Sequence, residues 1–215
     1  MDLERLYTYR FKDVSQADRD RVWALISADV HRRMGRPQVV LDPAAGRGEF
    51  INSVPARERW AVDQVDHGTQ IDPAVKSLVA SALEVDLPPD YFEGIFVSNF
   101  LEHLPSPKSV GHFFARMHTA LAPGGRIAVM GPNFRYCSRQ YFDCADHVLP
   151  LSHVTVDEHL HAAGFIVDEV VARYLPYTFR SRLPASPGLV AAYLRIPAAH
   201  LLFGKQFLLV ATKAA

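Results

Sequence analysis

The sequence predicts an α/β chain on one open parallel sheet, and three observations predict it. Apolar, β-branched runs alternate with amphipathic stretches along the 215 residues, the pattern left by strand–helix–strand units. The first run, Val39-Val40-Leu41, stops at Asp42 and turns through Pro43-Ala44-Ala45-Gly46-Arg47-Gly48 into Glu49-Phe50. A parallel sheet opens a nucleotide-binding crevice in this way at the end of its first strand, where small residues let a ligand approach the backbone. A second run, Trp60-Ala61-Val62, also stops at an acid, Asp63, at about the spacing of a carboxylate that accepts from ribose hydroxyls.

The elements follow in order. Val22, Trp23, Leu25, Ile26, Val30 and Met34 recur at helical spacing between charges, so residues 16–34 read as an amphipathic helix ended by Gly35 and Pro37. After the two acid-ended strands come strands at Val75–Val79 and Gly94–Ser98, a helix at Val110–Leu121 and a strand at Arg126–Met130. Ala122-Pro123-Gly124-Gly125 is the turn before that fifth strand. A helix at Thr155–Ala163 stops at Gly164, the strand Phe165–Val171 follows, and Gln206–Ala211 is the last strand, seven in all. Between them Pro176, Pro184, Pro187 and Pro197 exclude one long helix, though Gly188–Ile196 and Ala198–Phe203 can form two short ones. One domain is expected over 1–215, with 1–36 as an N-terminal helical lid, 37–174 and 205–215 as core, and 175–204 as an irregular helical insertion.

Composition narrows the partners. Lys and Arg number 23, as do Asp and Glu, so there is no net field to draw in a phosphate backbone and no nucleic-acid substrate is expected. No apolar run is long enough to span a bilayer, and the N-terminal Met1-Asp2-Leu3-Glu4-Arg5 has no apolar signal core, so stable membrane insertion is not expected. Cys137 and Cys144 are too few for a disulfide framework and fit reduced thiols in the cytoplasm.

In this order the motifs resemble the class I S-adenosylmethionine-dependent methyltransferases, in particular the small single-domain kind with Leu-Glu-His-Leu after strand four, here Leu101-Glu102-His103-Leu104. Arg10-Phe11 and the helix through Trp23 look like that family's lid, and Leu41–Phe50 like its glycine-rich motif. Trp60–Asp63 looks like its ribose-binding strand, Ser81-Ala82 like the loop near adenine, and Phe165–Val171 with Gln206–Ala211 like its closing antiparallel hairpin. The resemblance implies a Rossmann-like, seven-stranded, mostly parallel sheet with helices on both faces and the last strand antiparallel. It also implies S-adenosyl-L-methionine as cofactor. Asp42, Ala44, Gly46 and Gly48 would then meet its methionine part, Asp63 and Gln64 its ribose, and Ser81 and Ala82 its adenine, with Asn99 and Phe100 facing it from the other side. Two positions depart from the family pattern. Ala44 replaces a common glycine and requires a negative φ there, and Ser81 replaces an acid that accepts from the adenine amino group.

Each of these residues also has a structural reading. The glycines can form an ordinary tight turn, Asp63 can be a solvated strand end, and Asn99 a turn asparagine. Methyl transfer from a sulfonium needs alignment and exclusion of water more than acid chemistry. A base is needed only where the acceptor loses a proton, and histidine suits that near neutral pH. His103, next to the cofactor-facing turn, and His147 and His153, in the polar and aromatic insertion after strand five, are the candidates; helix-start capping and solvation are the alternatives. Asp143 and Asp146 could orient an imidazole or bind a divalent ion, but their spacing matches no established ligand motif, so no metal is expected. Tyr136, Tyr141 and Phe142 can line an acceptor pocket or fill core. Arg180 and Arg182 can hold an anionic acceptor group or form a solvated edge. His112, His118, His159 and His161 read as packing or surface.

The activity expected is O- or N-methylation of a small-molecule acceptor, a metabolite, natural product or glycan precursor, by a monomer or homodimer. Ser98-Asn99-Phe100-Leu101 stands where nucleobase amino-methylases carry Asn-Pro-Pro-aromatic, which argues against that substrate. The alternatives are the same fold using the cofactor for another reaction such as cyclisation, or a non-catalytic scaffold with Leu189–Phe203 as its contact surface.

Overall fold

Seven strands form one sheet in the order β3-β2-β1-β4-β5-β7-β6. They are β1 (Val39–Asp42), β2 (Glu58–Asp63), β3 (Lys76–Val79), β4 (Phe92–Ser98), β5 (Leu121–Pro132), β6 (Phe165–Val171) and β7 (Gln206–Lys213). The computed structural model describes residues 5, 6, 9, 15–177 and 186–215. Arg10, Phe11, Arg180 and Arg182 lie outside the described residues. β1 to β5 run parallel, and β7 lies antiparallel between β5 and β6. The Rossmann-like, mostly parallel sheet expected from the resemblance is therefore the observed one.

The helices are α1 (Gln16–Arg33), α2 (Glu49–Ser53), α3 (Pro107–Ala120), α4 (Phe134–Tyr141), α5 (His153–Ala162), α6 (Pro187–Arg195) and α7 (Pro197–Phe203). Two apolar layers sandwich the sheet because successive side chains of a strand point to opposite faces. Leu41, Ile95, Val97, Ile127 and Val129 meet Phe113, Phe114 and Met117 of α3 and Leu160 of α5. Val40, Phe96, Ala128 and Leu208 meet Trp23, Ile26 and Val30 of α1 and Phe50 of α2. Over Gln16–Arg33 the expected lid segment is thus a helix packed on one sheet face. Arg19 ties it to α2 through Glu49 at 2.5 Å.

Several boundaries differ from the sequence reading for local reasons. α3 starts a turn earlier, because Ser106 accepts from the Ser109 N–H and Pro107 suits the first helical turn. α5 likewise starts at His153 through a reciprocal Ser152–Thr155 capping box. β5 is longer at both ends, since Leu121 pairs with Phe92 ahead of a register shift, and Pro132 pairs with Gln206. α4, which runs from strand five up to the start of that insertion, has no counterpart in the sequence reading. The strict alternation of strand and helix fails between β2 and β4, where the connections described hold only the short turn Gly68–Gln70. Asp66 and Asp72 there accept from the backbone N–H groups two residues on, which favours turns over helix. Among the described residues no helix is long and apolar enough to cross a membrane.

Candidate functional site

Parallel strands bring their C-terminal ends to one edge, so Asp42, Asp63 and Asn99 meet there although far apart in sequence. Asp42 is buried and accepts from the Ala44 N–H at 3.2 Å, which tightens the turn. Burial pushes its carboxyl up to about 8, and the negative charges of Asp63 and Glu49 push the same way. Gly46 and Gly48 have φ of +53° and +80°, which favour glycine. Ala44 has no positive φ, so it meets the condition set by the missing glycine. A Cβ at Gly46 would find no atom within 4 Å, whereas one at Gly48 would lie 2.6 Å from Ile71 Cδ1. Gly46 thus borders open space and Gly48 a packed wall.

Asp63 closes this loop. Its Oδ2 accepts from the Gly46 N–H at 2.8 Å and its Oδ1 from the Val65 N–H at 3.0 Å, with His67 Nε2 3.5 Å from Oδ1, so Oδ2 is the oxygen with capacity for another donor. Gln64 beside it is exposed. Ser81 spends its hydroxyl on the Leu83 N–H at 3.2 Å, and Ala82 is buried. Asn99, at φ +48°, donates its N–H to the Met130 carbonyl and ties β4 to β5, while the Phe100 ring packs on Phe113.

The second half of the site begins at the single turn Leu101–His103. The Glu102 carbonyl accepts from the Val148 and Leu149 N–H groups at 2.8 and 3.0 Å, fastening the segment after α4 onto this turn. The Tyr141 hydroxyl braces the same segment, donating to the Leu149 carbonyl at 2.6 Å and accepting from the Leu151 N–H at 3.2 Å. His103 and His147 are brought together, their ring centroids 5.1 Å apart. His103 Nδ1 lies 2.8 Å from the Asp146 carbonyl oxygen. A carbonyl only accepts, so in the neutral ring the proton sits on Nδ1 and the lone pair on Nε2.

The buried Glu102 carboxylate lies between the two rings, with Oε1 3.9 Å from His103 Nε2 and 4.0 Å from His147 Nε2. His153 belongs to a different set of contacts. It lies 2.9 Å from the buried Asn133 amide and stacks on Tyr136, and burial lowers its pKa. Tyr141 is core, while Tyr136 and Phe142 are exposed. Burial pushes the Cys137 thiol up to about 12, which makes it an inert core group. Sequence reasoning missed Glu102 and Asn133. Glu102 carried a signal, since it is an acid enclosed between two leucines and a histidine.

Residues 41–129 match the family model for a methyltransferase domain. No curated protein matches the chain by sequence. Among solved structures, a SAM-dependent methyltransferase from Archaeoglobus fulgidus is similar at 19% identity and a TM-score of 0.66, covering 99% of this chain and 100% of its own. The 1,6-didemethyltoxoflavin-N1-methyltransferase of Burkholderia thailandensis, solved with 1,6-didemethyltoxoflavin and S-adenosylhomocysteine, is similar at 21% identity and a TM-score of 0.62, covering 99% and 87%. The [4+2]-cyclase SpnF is also similar, at 16% identity and a TM-score of 0.62, covering 89% and 81%, so this fold alone does not fix the reaction. With its strand order and its acid-ended glycine loop inside the matched segment, the chain has the fold of these methyltransferases, and its residues 41–129 are similar to the methyltransferase domain.

Proposed function

We propose that this chain transfers a methyl group from S-adenosylmethionine to an oxygen or nitrogen of a small-molecule acceptor, a metabolite, natural product or glycan precursor, in the cytoplasm. The observation that carries the reading is the loop at Gly46, open where a side chain would stand and hydrogen-bonded to Asp63 at the neighbouring strand end. That cradle fits the cofactor. Asp42, Ala44, Gly46 and Gly48 would hold its methionine part, Asp63 and Gln64 its ribose, Ser81 and Ala82 its adenine, and Asn99 and Phe100 the opposite wall. When bound, the sulfonium supplies a methyl group whose leaving thioether needs no acid.

The remaining chemistry belongs to the side chains. His103 Nε2 takes the proton from an acceptor O–H or protonated amine, and the Asp146 carbonyl holds the ring by its Nδ1–H. The Glu102 carboxylate lies 3.9 Å from that nitrogen, and His147 shares the same carboxylate oxygen at 4.0 Å. His153, on Asn133, is the third histidine of the acceptor side. Balanced charge supports a small acceptor over a nucleic acid.

Calorimetric titration of the wild type and Asp63→Ala with S-adenosylmethionine and S-adenosylhomocysteine tests this reading. Micromolar binding that is lost in the variant supports it, and an acceptor screen read by S-adenosylhomocysteine release then follows. Absence of binding to either ligand removes it. Product analysis separates methyl transfer from a cyclisation on the same fold.

A further inference from the structure

We infer that Glu102, His103 and His147 form a binding site for one divalent transition-metal ion of the zinc class. Their three donor atoms lie within 4.8 Å of one another, with Glu102 Oε1 at 3.9 and 4.0 Å from the two imidazole Nε2 atoms. Those separations are too long for the N–H···O bonds that would otherwise join a carboxylate to imidazoles, which run at roughly 2.7–3.2 Å. They suit a shared ion instead. With the third side no longer than 4.8 Å, such a triangle has a point about 2.5 Å or less from every corner, within a few tenths of an ångström of the zinc–nitrogen and zinc–oxygen distances of roughly 2.0–2.2 Å.

The surroundings are those of a ligand set. His103 gives its Nδ1–H to the Asp146 carbonyl, which fixes the tautomer with the Nε2 lone pair available as a ligand. The Asp146 carboxylate lies 3.6 Å from the same Nδ1 and adds negative charge behind the ring. Two N–H groups on the Glu102 carbonyl and the Tyr141 hydroxyl hold the His147 segment in register with Glu102. Glu102 and His147 side chains are 3% and 4% exposed, so an ion between them is shielded from water, while His103, at 22%, marks the open side. Two histidines and one carboxylate are a donor set that leaves a fourth position for water or substrate.

Cys144, Asp146 and His147 also lie close together, but His147 cannot serve both sets with one ion, and the Cys144 thiol lies 3.4 Å from the Tyr177 hydroxyl. The two-histidine set has the fixed tautomer. Metal binding stands without the methyl-transfer reading. Use of the ion to acidify an acceptor hydroxyl rests on that reading, and in that case the imidazoles act as ligands and the ion replaces His103 as the group that favours loss of the proton.

The test titrates untagged, chelator-treated protein with cobalt(II), whose visible absorption reports coordination number. The expected result is saturable binding of one equivalent with the bands of a four- or five-coordinate ion, displaced by zinc. Glu102→Gln and His147→Ala should each weaken it about 100-fold, and Cys144→Ser should leave it within about twofold. Should Glu102→Gln fail to fold, His103→Gln, at the more exposed ligand, gives the same readout. No saturable binding by the wild type, or full affinity in the ligand variants, overturns the site, and loss in Cys144→Ser alone reassigns the ion to the other set and overturns it too. S-adenosylhomocysteine affinity on the same samples keeps the questions apart. Ligand binding without cobalt sinks only the ion site, and cobalt without ligand binding sinks only the methyltransferase reading.

Discussion

The Gly46 N–H donates to Asp63 Oδ2 at 2.8 Å, joining positions 17 residues apart across the ends of β1 and β2. One carboxylate therefore fastens the glycine loop, and on the proposed reading its remaining lone pairs would serve a ligand there. Asp63→Ala is expected to lower S-adenosylhomocysteine affinity at least about tenfold and stability by about 1–2 kcal/mol. Wild-type affinity in a calorimetric titration would take Asp63 out of the ligand site.

Gly48 and Gly46 should respond differently to alanine. Both have positive φ, which costs roughly 1–2 kcal/mol for a side chain. At Gly48 the added Cβ also lies 2.6 Å from Ile71 Cδ1 and 2.9 Å from Asn52 Nδ2. Gly48→Ala should therefore cost about 1–3 kcal/mol more than Gly46→Ala in urea unfolding. Gly46→Ala should instead express itself in ligand affinity, because its Cβ enters the open cradle. Equal stability losses would contradict this division.

Burial raises the Asp42 carboxyl from its ordinary value near 4 to about 8. The folded chain holds this proton more tightly than the unfolded one, so the contribution is full below about pH 4 and declines as pH rises toward 8. Asp42→Asn cannot ionise. Its melting temperature should gain on the wild type steadily between about pH 5 and 8 and the gap should level off above that. A gap that stays constant across the range would mean that the carboxyl is already ionised in the fold.

Tyr141 is enclosed, and its hydroxyl serves the Leu149 carbonyl and the Leu151 N–H. Tyr141→Phe leaves both without that partner and should cost about 1–3 kcal/mol by urea unfolding, with faster proteolysis of the segment it braces. Unchanged stability and cleavage would show that other groups satisfy them.

The seven strands and the acid-ended glycine loop were largely legible in the sequence. β1 and β2 each hold a buried apolar stretch, Val39-Val40-Leu41 and Trp60-Ala61-Val62, because a parallel strand is covered on both faces, and each ends in an acid. Asp42, Gly46, Gly48 and Asp63 needed only local pattern and a spacing. The histidine half of the candidate site was less legible. His103 was singled out by its place after β4, but its partners Glu102, Asp146 and His147 are assembled by the two N–H groups on the Glu102 carbonyl. No periodicity marks such a contact between two loops.

What the chain determined by itself was which segments are strands and, α4 apart, which are helices, since alternation, caps and small-residue turns act within a few residues. Tertiary structure alone decided that Glu102 stands 3.9 and 4.0 Å from two imidazoles contributed by different loops, and that His153 turns to Asn133 instead. The physical reason is distance along the chain. Local propensity sets backbone conformation within a few positions, whereas a side chain's partner over more than 40 positions is fixed by how the sheet edge and the segment after α4 pack together.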